Sequence, residues 1–223
     1  QEADGIVALG KFSPKTIRDL ESYGKPLIFV DSNTLYLGHS CVTTDLEDSV
    51  ITALEYFLEH GHKEIGLLVG QEETADATPL QMDPRQRVFQ QYLTEKGLYQ
   101  DRFVTVGQFS TESGYQMMEQ LIQALGDDLP TAFFMASDAI AVGALRSLQE
   151  HQIAVPDRVS LISFNDTSIA KYVFPALSTV TVYTEEMGKQ AIQMLRQTFQ
   201  GAEPSVPYMV KLATKLTIRD SSR

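Results

Sequence analysis

Residues 131–180 read TAFFMASDAIAVGALRSLQEHQIAVPDRVSLISFNDTSIAKYVFPALSTV. Thr131–Ala136 is a short apolar run of strand length, and Ser137-Asp138 follows it with a hydroxyl N-cap and an acid at the positive end of a helix dipole. Ala141, Ala144, Leu145 and Leu148 then recur three or four residues apart, the stripe of a half-buried helix. Val159–Phe164 and Ser178–Val182 return to strand character. Strand, helix and strand in this order need parallel pairing, with helices covering both faces of the sheet.

The same alternation extends through the rest of the chain. Further strands are predicted at Gly5–Leu9, Pro26–Val30, Glu64–Val69 and Arg102–Val106. Between them the apolar period lengthens to about 3.6 residues, in Val50, Ile51, Leu54, Phe57 and Leu58, in Tyr115, Met118, Leu121, Ile122 and Leu125, and in Met187, Ala191, Met194, Leu195 and Phe199. Ser13-Pro14 offers a cap with proline at the first helical position, and Thr44-Asp45-Leu46-Glu47 has the form of a capping box. Thr184-Glu185-Glu186 puts a hydroxyl and two acids at a helix start, and Gly61 and Gly97 fall where helices should stop. The polar segment 70–84 is expected to be a loop. In a parallel α/β sheet, ligands bind beyond the carboxyl ends of the strands, so the residues just past each strand are the first site candidates.

Bulk properties narrow the function. The 223 residues are 43% hydrophobic, enough for one long domain or two small ones. The longest apolar runs are five or six residues, far short of the ~20 that span a bilayer. The formal charge is −11, and the 18 basic residues are scattered. A duplex-binding face concentrates Lys and Arg against phosphates, so this segment is not expected to grip DNA by itself. Cys41 is the only cysteine, which favours a reducing cytoplasm and reads as a buried structural thiol. No basic start with an apolar run directs export, and the first residue is not Met, so a fragment is expected.

The chemistry of common enzymes is not visible. Neither phosphate-cradling glycine motif occurs. His60-Gly61-His62 lacks neighbouring carboxylates or cysteines at ligand spacing, so no metal is expected. Asp127-Asp128, before Leu129-Pro130, reads as a solvated loop. No cofactor and no catalysis are expected.

The wording of residues 131–180 closely resembles the effector-binding core of the lac/galactose repressor family. The resemblance lies in Thr131-Ala132, Ser137-Asp138, Ala141, Gly143-Ala144, Arg146 and Leu148, then in Val155-Pro156 and Val159-Ser160, then in Phe164-Asn165-Asp166, Tyr172, Pro175 and Leu177-Ser178-Thr179-Val180. It continues in Asp4-Gly5-Ile6-Val7, Pro26–Asp31, Gly61–Gly66, Arg85 with Val88-Phe89, Glu186-Met187-Gly188 and the ending Leu216–Ser222, and so covers essentially the whole chain. The resemblance implies a two-lobed, periplasmic-binding-protein-like α/β fold of type I with the ligand held between lobes. The N-terminal lobe would take residues 1–43 and 184–208, and be incomplete here. The C-terminal lobe would take 44–183 and 209–223. With the preceding strands absent, the Gly5–Leu9 strand would be left as an exposed edge.

The resemblance also implies a binding site. Asp31 matches a ligand-bonding carboxylate, and Arg85 matches a ligand-contacting arginine whose planar fork spans two oxygens; the alternative for Arg85 is an ordinary exposed first-turn residue. Phe109 matches an aromatic beside the sugar, with a core phenylalanine as the alternative. Ser137 stands where the family usually has asparagine, and Asn165 where it usually has aspartate. Tyr183 would close over the ligand, and Leu9 and Lys11 would line the opposite lip, with a solvated lysine as the alternative. Asp166 reads as structural. Parts of the helix Ser137–Glu150 and of Ser168–Val173 would face a second subunit.

The implied protein is a cytoplasmic repressor core, galactose-repressor-like in its Ser163–Asp166 wording. It would bind a sugar effector, act as a homodimer or tetramer, and reach operator DNA only through a helix-turn-helix headpiece outside this chain, with no membrane contact. The rival reading is the sugar-binding protein of an ABC transporter. An α/β enzyme is a third reading, without a supporting site.

Overall fold

A computed structural model describes residues 3–74 and 82–223, so the predicted loop at 70–84 lies partly outside the described residues. The chain divides into two compact units. The smaller is built chiefly from residues 3–45 and 183–213, the larger from 46–72, 82–182 and 214–223.

In the smaller unit, strands β1 (Ile6–Leu9), β2 (Leu27–Val30) and β3 (Cys41–Thr44) form a sheet with β9 (Met209–Leu212) in the order β1-β2-β3-β9. All neighbours are parallel. Helix α1 (Pro14–Glu21) starts as its sequence predicts: the Ser13 hydroxyl accepts the Thr16 N–H at 3.2 Å, with proline in the first turn. Ala8, Ile17, Phe29 and Cys41 are buried together, and the Phe12 ring meets Phe29 edge-on at 5.7 Å. Helix α7 (Thr184–Phe199) buries Met187, Ala191 and Met194. Strand β1 is an edge strand, with Val7 and Leu9 exposed.

The larger unit carries a six-stranded sheet. Its strands are β4 (Ile65–Gly70), β5 (Val104–Gly107), β6 (Ala132–Met135), β7 (Ser160–Asn165), β8 (Ser178–Thr181) and β10 (Lys215–Thr217). The order is β10-β8-β7-β6-β4-β5, parallel except for β10 on β8. Successive side chains of a strand point to opposite faces, and both faces here are covered. Leu67, Val69 and Phe134 pack with Val50, Leu54 and Phe57 of α2 (Leu46–Glu59) and with Val88, Phe89 and Leu93 of α3 (Pro84–Glu95). The intervening Leu68, Phe133 and Met135 pack with Met118 and Leu121 of α4 (Thr111–Leu125) and with Ile140 and Leu145 of α5 (Asp138–Glu150). Each such side chain contributes about 1.5–3 kcal/mol by leaving water, which explains why β4, β6 and β7 read as apolar runs rather than alternating ones.

Three expectations change. The sequence reading missed β3, β9 and β10. Thr44 is no helix cap: it ends β3, donates its hydroxyl to the Met187 sulfur at 3.4 Å, and leaves Asp45 before α2. The lobe boundaries shift accordingly, because β9 pairs with β3 through Cys41–Met209 to Thr44–Leu212. Thr44, Asp45, Tyr183 and residues 209–213 therefore belong with the smaller unit. Gly61 (φ 88°) and Gly97 (φ 70°) do end helices in the left-handed region.

Candidate functional site

The carboxyl ends of β4, β5, β6 and β7 bring four of the sequence-predicted residues together. Arg85, in the first turn of α3, is only 7% exposed, so it is not the ordinary surface arginine of the alternative reading. Its Nε donates to Asp83 Oδ1 at 2.8 Å and its Nη2 to Asp83 Oδ2 at 2.6 Å, a bidentate pair. Nη1 donates to the carbonyl of Ala136, just past β6, at 2.8 Å, and Nη2 also reaches Glu72 Oε1, just past β4, at 3.3 Å. The guanidinium lies 4.8 Å from the ring centroid of Phe109, just past β5, and 5.4 Å from that of Phe164 in β7. Asp83 also caps α3, accepting the Arg85 N–H at 2.8 Å ahead of Pro84.

Phe109 does two things at once. It packs against both core clusters yet stays partly exposed. Its ring fills the space a Cβ would need at Gly70, so only glycine ends β4 without displacing it. Ser137 is buried and caps α5, its hydroxyl accepting the Ile140 N–H at 3.3 Å.

The turn after β7 is unusual in its backbone. Asn165 (φ 108°) and Asp166 (φ 58°) both have positive φ, a conformation uncommon outside glycine and concentrated at ligand sites. Two anchors hold it. Asp166 Oδ1 pairs with Arg219 Nη2 at 2.6 Å, and its Oδ2 accepts the Thr181 hydroxyl at 2.9 Å. Asp138, 1% exposed at the start of α5, accepts Ser163 Oγ at 2.5 Å, Thr179 Oγ1 at 3.1 Å, and both the N–H and the hydroxyl of Thr167 at 2.6 and 2.8 Å. The structural role expected of Asp166 thus takes a definite form, an ion pair with Arg219.

The smaller unit presents its own strand-end group. Asp31, just past β2, has φ 63°, and its carboxylate lies 3.1 Å from Lys11 Nζ, which also bonds the Asp31 carbonyl. Lys11 is therefore a companion of Asp31 rather than a lone solvated lysine. Leu9 ends β1 at 74% exposure, and Tyr183 precedes α7 without a side-chain cap. Among the described residues four non-glycine residues have positive φ, and three of them, Asp31, Asn165 and Asp166, sit at strand ends.

Sequence reasoning missed Glu72, Asp83 and Arg219, and took Asp138 for a dipole acid alone. Asp83-Pro84 carried a readable cap signal; the other contacts join residues too distant in sequence to show a pattern. His60 stacks on Tyr56 at 4.0 Å, and His62 bonds Thr131 Oγ1 at 2.8 Å, so both have structural partners. Among the described residues no cluster of His, Cys, Asp and Glu could hold a metal ion, and no helix is long and apolar enough to cross a membrane.

The family described as a periplasmic binding protein-like domain matches residues 54–222. The HTH-type transcriptional regulator GalR of Streptococcus thermophilus is 50% identical over 223 residues, covering 100% of this chain and 67% of that protein. The regulator of the same name from Lacticaseibacillus casei is 36% identical over 222 residues, with 100% and 67% covered. Among solved structures, the transcriptional regulator CelR–cellobiose complex superposes with a TM-score of 0.85 at 25% identity, covering 99% of this chain and 66% of that one. The chain thus spans about two thirds of the length of the relatives it matches.

Proposed function

Because the chain belongs to the periplasmic-binding-protein-like family, and within it to the lac/galactose-repressor group of transcriptional regulators, we propose that it is the effector-sensing part of a cytoplasmic repressor. It binds a sugar reversibly and turns nothing over. The observation that carries this reading is the assembly of Arg85, Phe109, Ser137 and Asn165 at one carboxyl sheet edge, with a strained turn at Asn165-Asp166. The partly exposed Phe109 ring offers an apolar face for sugar C–H groups. Asp31, held by Lys11, offers a carboxylate to sugar hydroxyls. The assignment as a regulator, over a transporter component, follows the two GalR relatives, each matching the whole chain.

In the full regulator the sugar acts by binding one arrangement of the protein more tightly than another, since an effector shifts an equilibrium only through that difference. The readout is operator binding by a helix-turn-helix outside these 223 residues. Calorimetric titration with galactosides and glucosides is expected to give saturable 1:1 binding, and Asp31→Asn to weaken it about tenfold or more, the worth of a charge-assisted hydrogen bond. Absence of heat with every sugar at millimolar concentration would reject the reading.

We propose further that the regulator is a homodimer. Ile169, Tyr172 and Phe174, in and just after α6 (Ile169–Tyr172), leave apolar side chains exposed on the larger unit, Tyr172 at 83% and Phe174 at 85%. Contiguous apolar exposure of this kind marks association surfaces. Sedimentation is expected to show a dimer that Tyr172→Glu with Phe174→Glu converts to monomer; an unchanged sedimentation coefficient would place the contact elsewhere.

A further inference from the structure

We propose that Arg219 is a positioning residue for effector binding: acting through Asp166, it holds Asn165 in the conformation that the ligand meets. This rests on the effector-binding reading above. Left-handed backbone at two successive residues other than glycine is unfavourable, and it persists only where surrounding contacts over-determine it. Asn165 (φ 108°) and Asp166 (φ 58°) form such a turn. The side-chain bonds that hold it are made by Asp138, Thr167, Asp166 and Arg219 and not by Asn165, whose amide can therefore serve a ligand.

Arg219 lies 53 residues beyond Asp166 in the chain and is itself clasped in place. Its N–H donates to Ser178 Oγ at 2.8 Å, and its carbonyl accepts the same hydroxyl at 3.2 Å. The guanidinium then serves two acceptors from one plane: Nη1 donates to the Leu177 carbonyl at 2.7 Å and Nη2 to Asp166 Oδ1 at 2.6 Å. A lysine, as a point charge on a flexible stem, does not fix two acceptors at a set separation. The turn after β7 is thereby tied to the residue that precedes β8.

Charge adds a second reason. Thr179 Oγ1 donates to Asp138 Oδ1 at 3.1 Å and accepts the Asp166 N–H at 3.3 Å, so two acidic residues flank one hydroxyl. Asp138 is 1% exposed and the Asp166 side chain 10%, where water screens their repulsion poorly. Among the described residues that bond this turn, Arg219 is the one cation. Without it the two acids repel, Asp166 moves away and Asn165 loses its set orientation.

The test is calorimetry with the tightest-binding of the galactosides and glucosides named above, each variant measured well below its own thermal midpoint. Arg219→Gln is expected to weaken binding about tenfold or more, with Arg219→Lys between it and wild type. Arg219→Gln combined with Asp166→Asn exchanges the ion pair for a neutral hydrogen bond and should return to within about threefold of wild type. Arg223→Gln breaks an equally short but exposed pair with Asp157 and should leave affinity unchanged. Hydrogen exchange reads the turn without ligand: the Asp166 and Thr167 amides should exchange about tenfold faster in Arg219→Gln than in wild type. The proposal is overturned if folded Arg219→Gln binds as tightly as wild type, if its turn amides stay protected, if the double variant does not recover, or if Arg223→Gln weakens binding as much. Should Arg219→Gln fail to fold, Arg219→Lys and the double variant decide by the same criteria. A wild-type chain that binds no sugar would instead remove the effector-binding reading, and with it the role given to Arg219.

Discussion

Replacing Asp138 by alanine is expected to destabilise the larger unit by about 3–5 kcal/mol, at the severe end for a single substitution. The carboxylate accepts from Ser163, Thr179 and twice from Thr167, and it is almost wholly out of water. Its removal strands the Ser163 and Thr179 hydroxyls in the interior, and each buried donor left unmade costs roughly 1–3 kcal/mol. For a domain of this size that corresponds to a fall of roughly 6–20 °C in thermal midpoint. Asp138→Asn keeps one acceptor but turns an N–H₂ toward the donors, so it should fall between wild type and alanine. Thermal unfolding by circular dichroism measures both. A loss below about 1 kcal/mol for alanine would mean that water replaces the carboxylate. Folded Asp138→Asn should also bind sugar more weakly, because the Asn165-Asp166 turn loses the anchor at Thr167.

Arg85→Leu should be comparably severe, for a different reason. It leaves Asp83, 1% exposed along its side chain, as a buried charge without its bidentate partner. Breaking such a pair from one side costs about 3–5 kcal/mol, whereas replacing both partners is often near neutral. The double variant Arg85→Leu with Asp83→Asn should therefore recover much of the stability. It should not recover sugar binding, since the planar donor that orders Glu72, Ala136 and Phe109 is gone. Recovery of both would make Arg85 a purely structural residue; recovery of neither would mean that packing on Phe109 and Phe164 outweighs the ion pair.

What the sequence made legible follows from how local each signal is. Thr131–Ala136 and Val159–Phe164 could be read because a strand buried on both faces is apolar at most positions rather than at alternate ones. Ser13-Pro14 and Ser137-Asp138 could be read because a cap is chosen within four residues. Strand β3 was hidden: its pattern, Cys41-Val42-Thr43-Thr44, runs directly into polar residues that suit a helix start. Strands β9 and β10 are four- and three-residue pieces whose partners lie far away in the chain. The site divides the same way. Arg85, Phe109 and Asn165 were reached through resemblance and sheet geometry. Glu72 was not, since nothing around Gln71-Glu72-Glu73 marks one of two adjacent glutamates as facing an arginine thirteen positions on. The pairing of Lys11 with Asp31 was not legible, because a flexible side chain's direction is set by the fold and not by its place after a strand.

The pairing of β3 with β9 has a consequence for how the protein is made. Cys41 leaves the ribosome 168 residues ahead of its register partner Met209. In between, nearly all of the larger unit emerges and can fold as a block, while the first strands wait with β3 unpaired along one side. Non-local pairings of this kind are slow and leave aggregation-prone edges open meanwhile. Closure of the smaller sheet thus waits for translation to reach β9. A nascent chain stalled before Met209 would carry a larger unit still without β10 and the Arg219–Asp166 pair, tethered to an unclosed sheet that chaperones must shield.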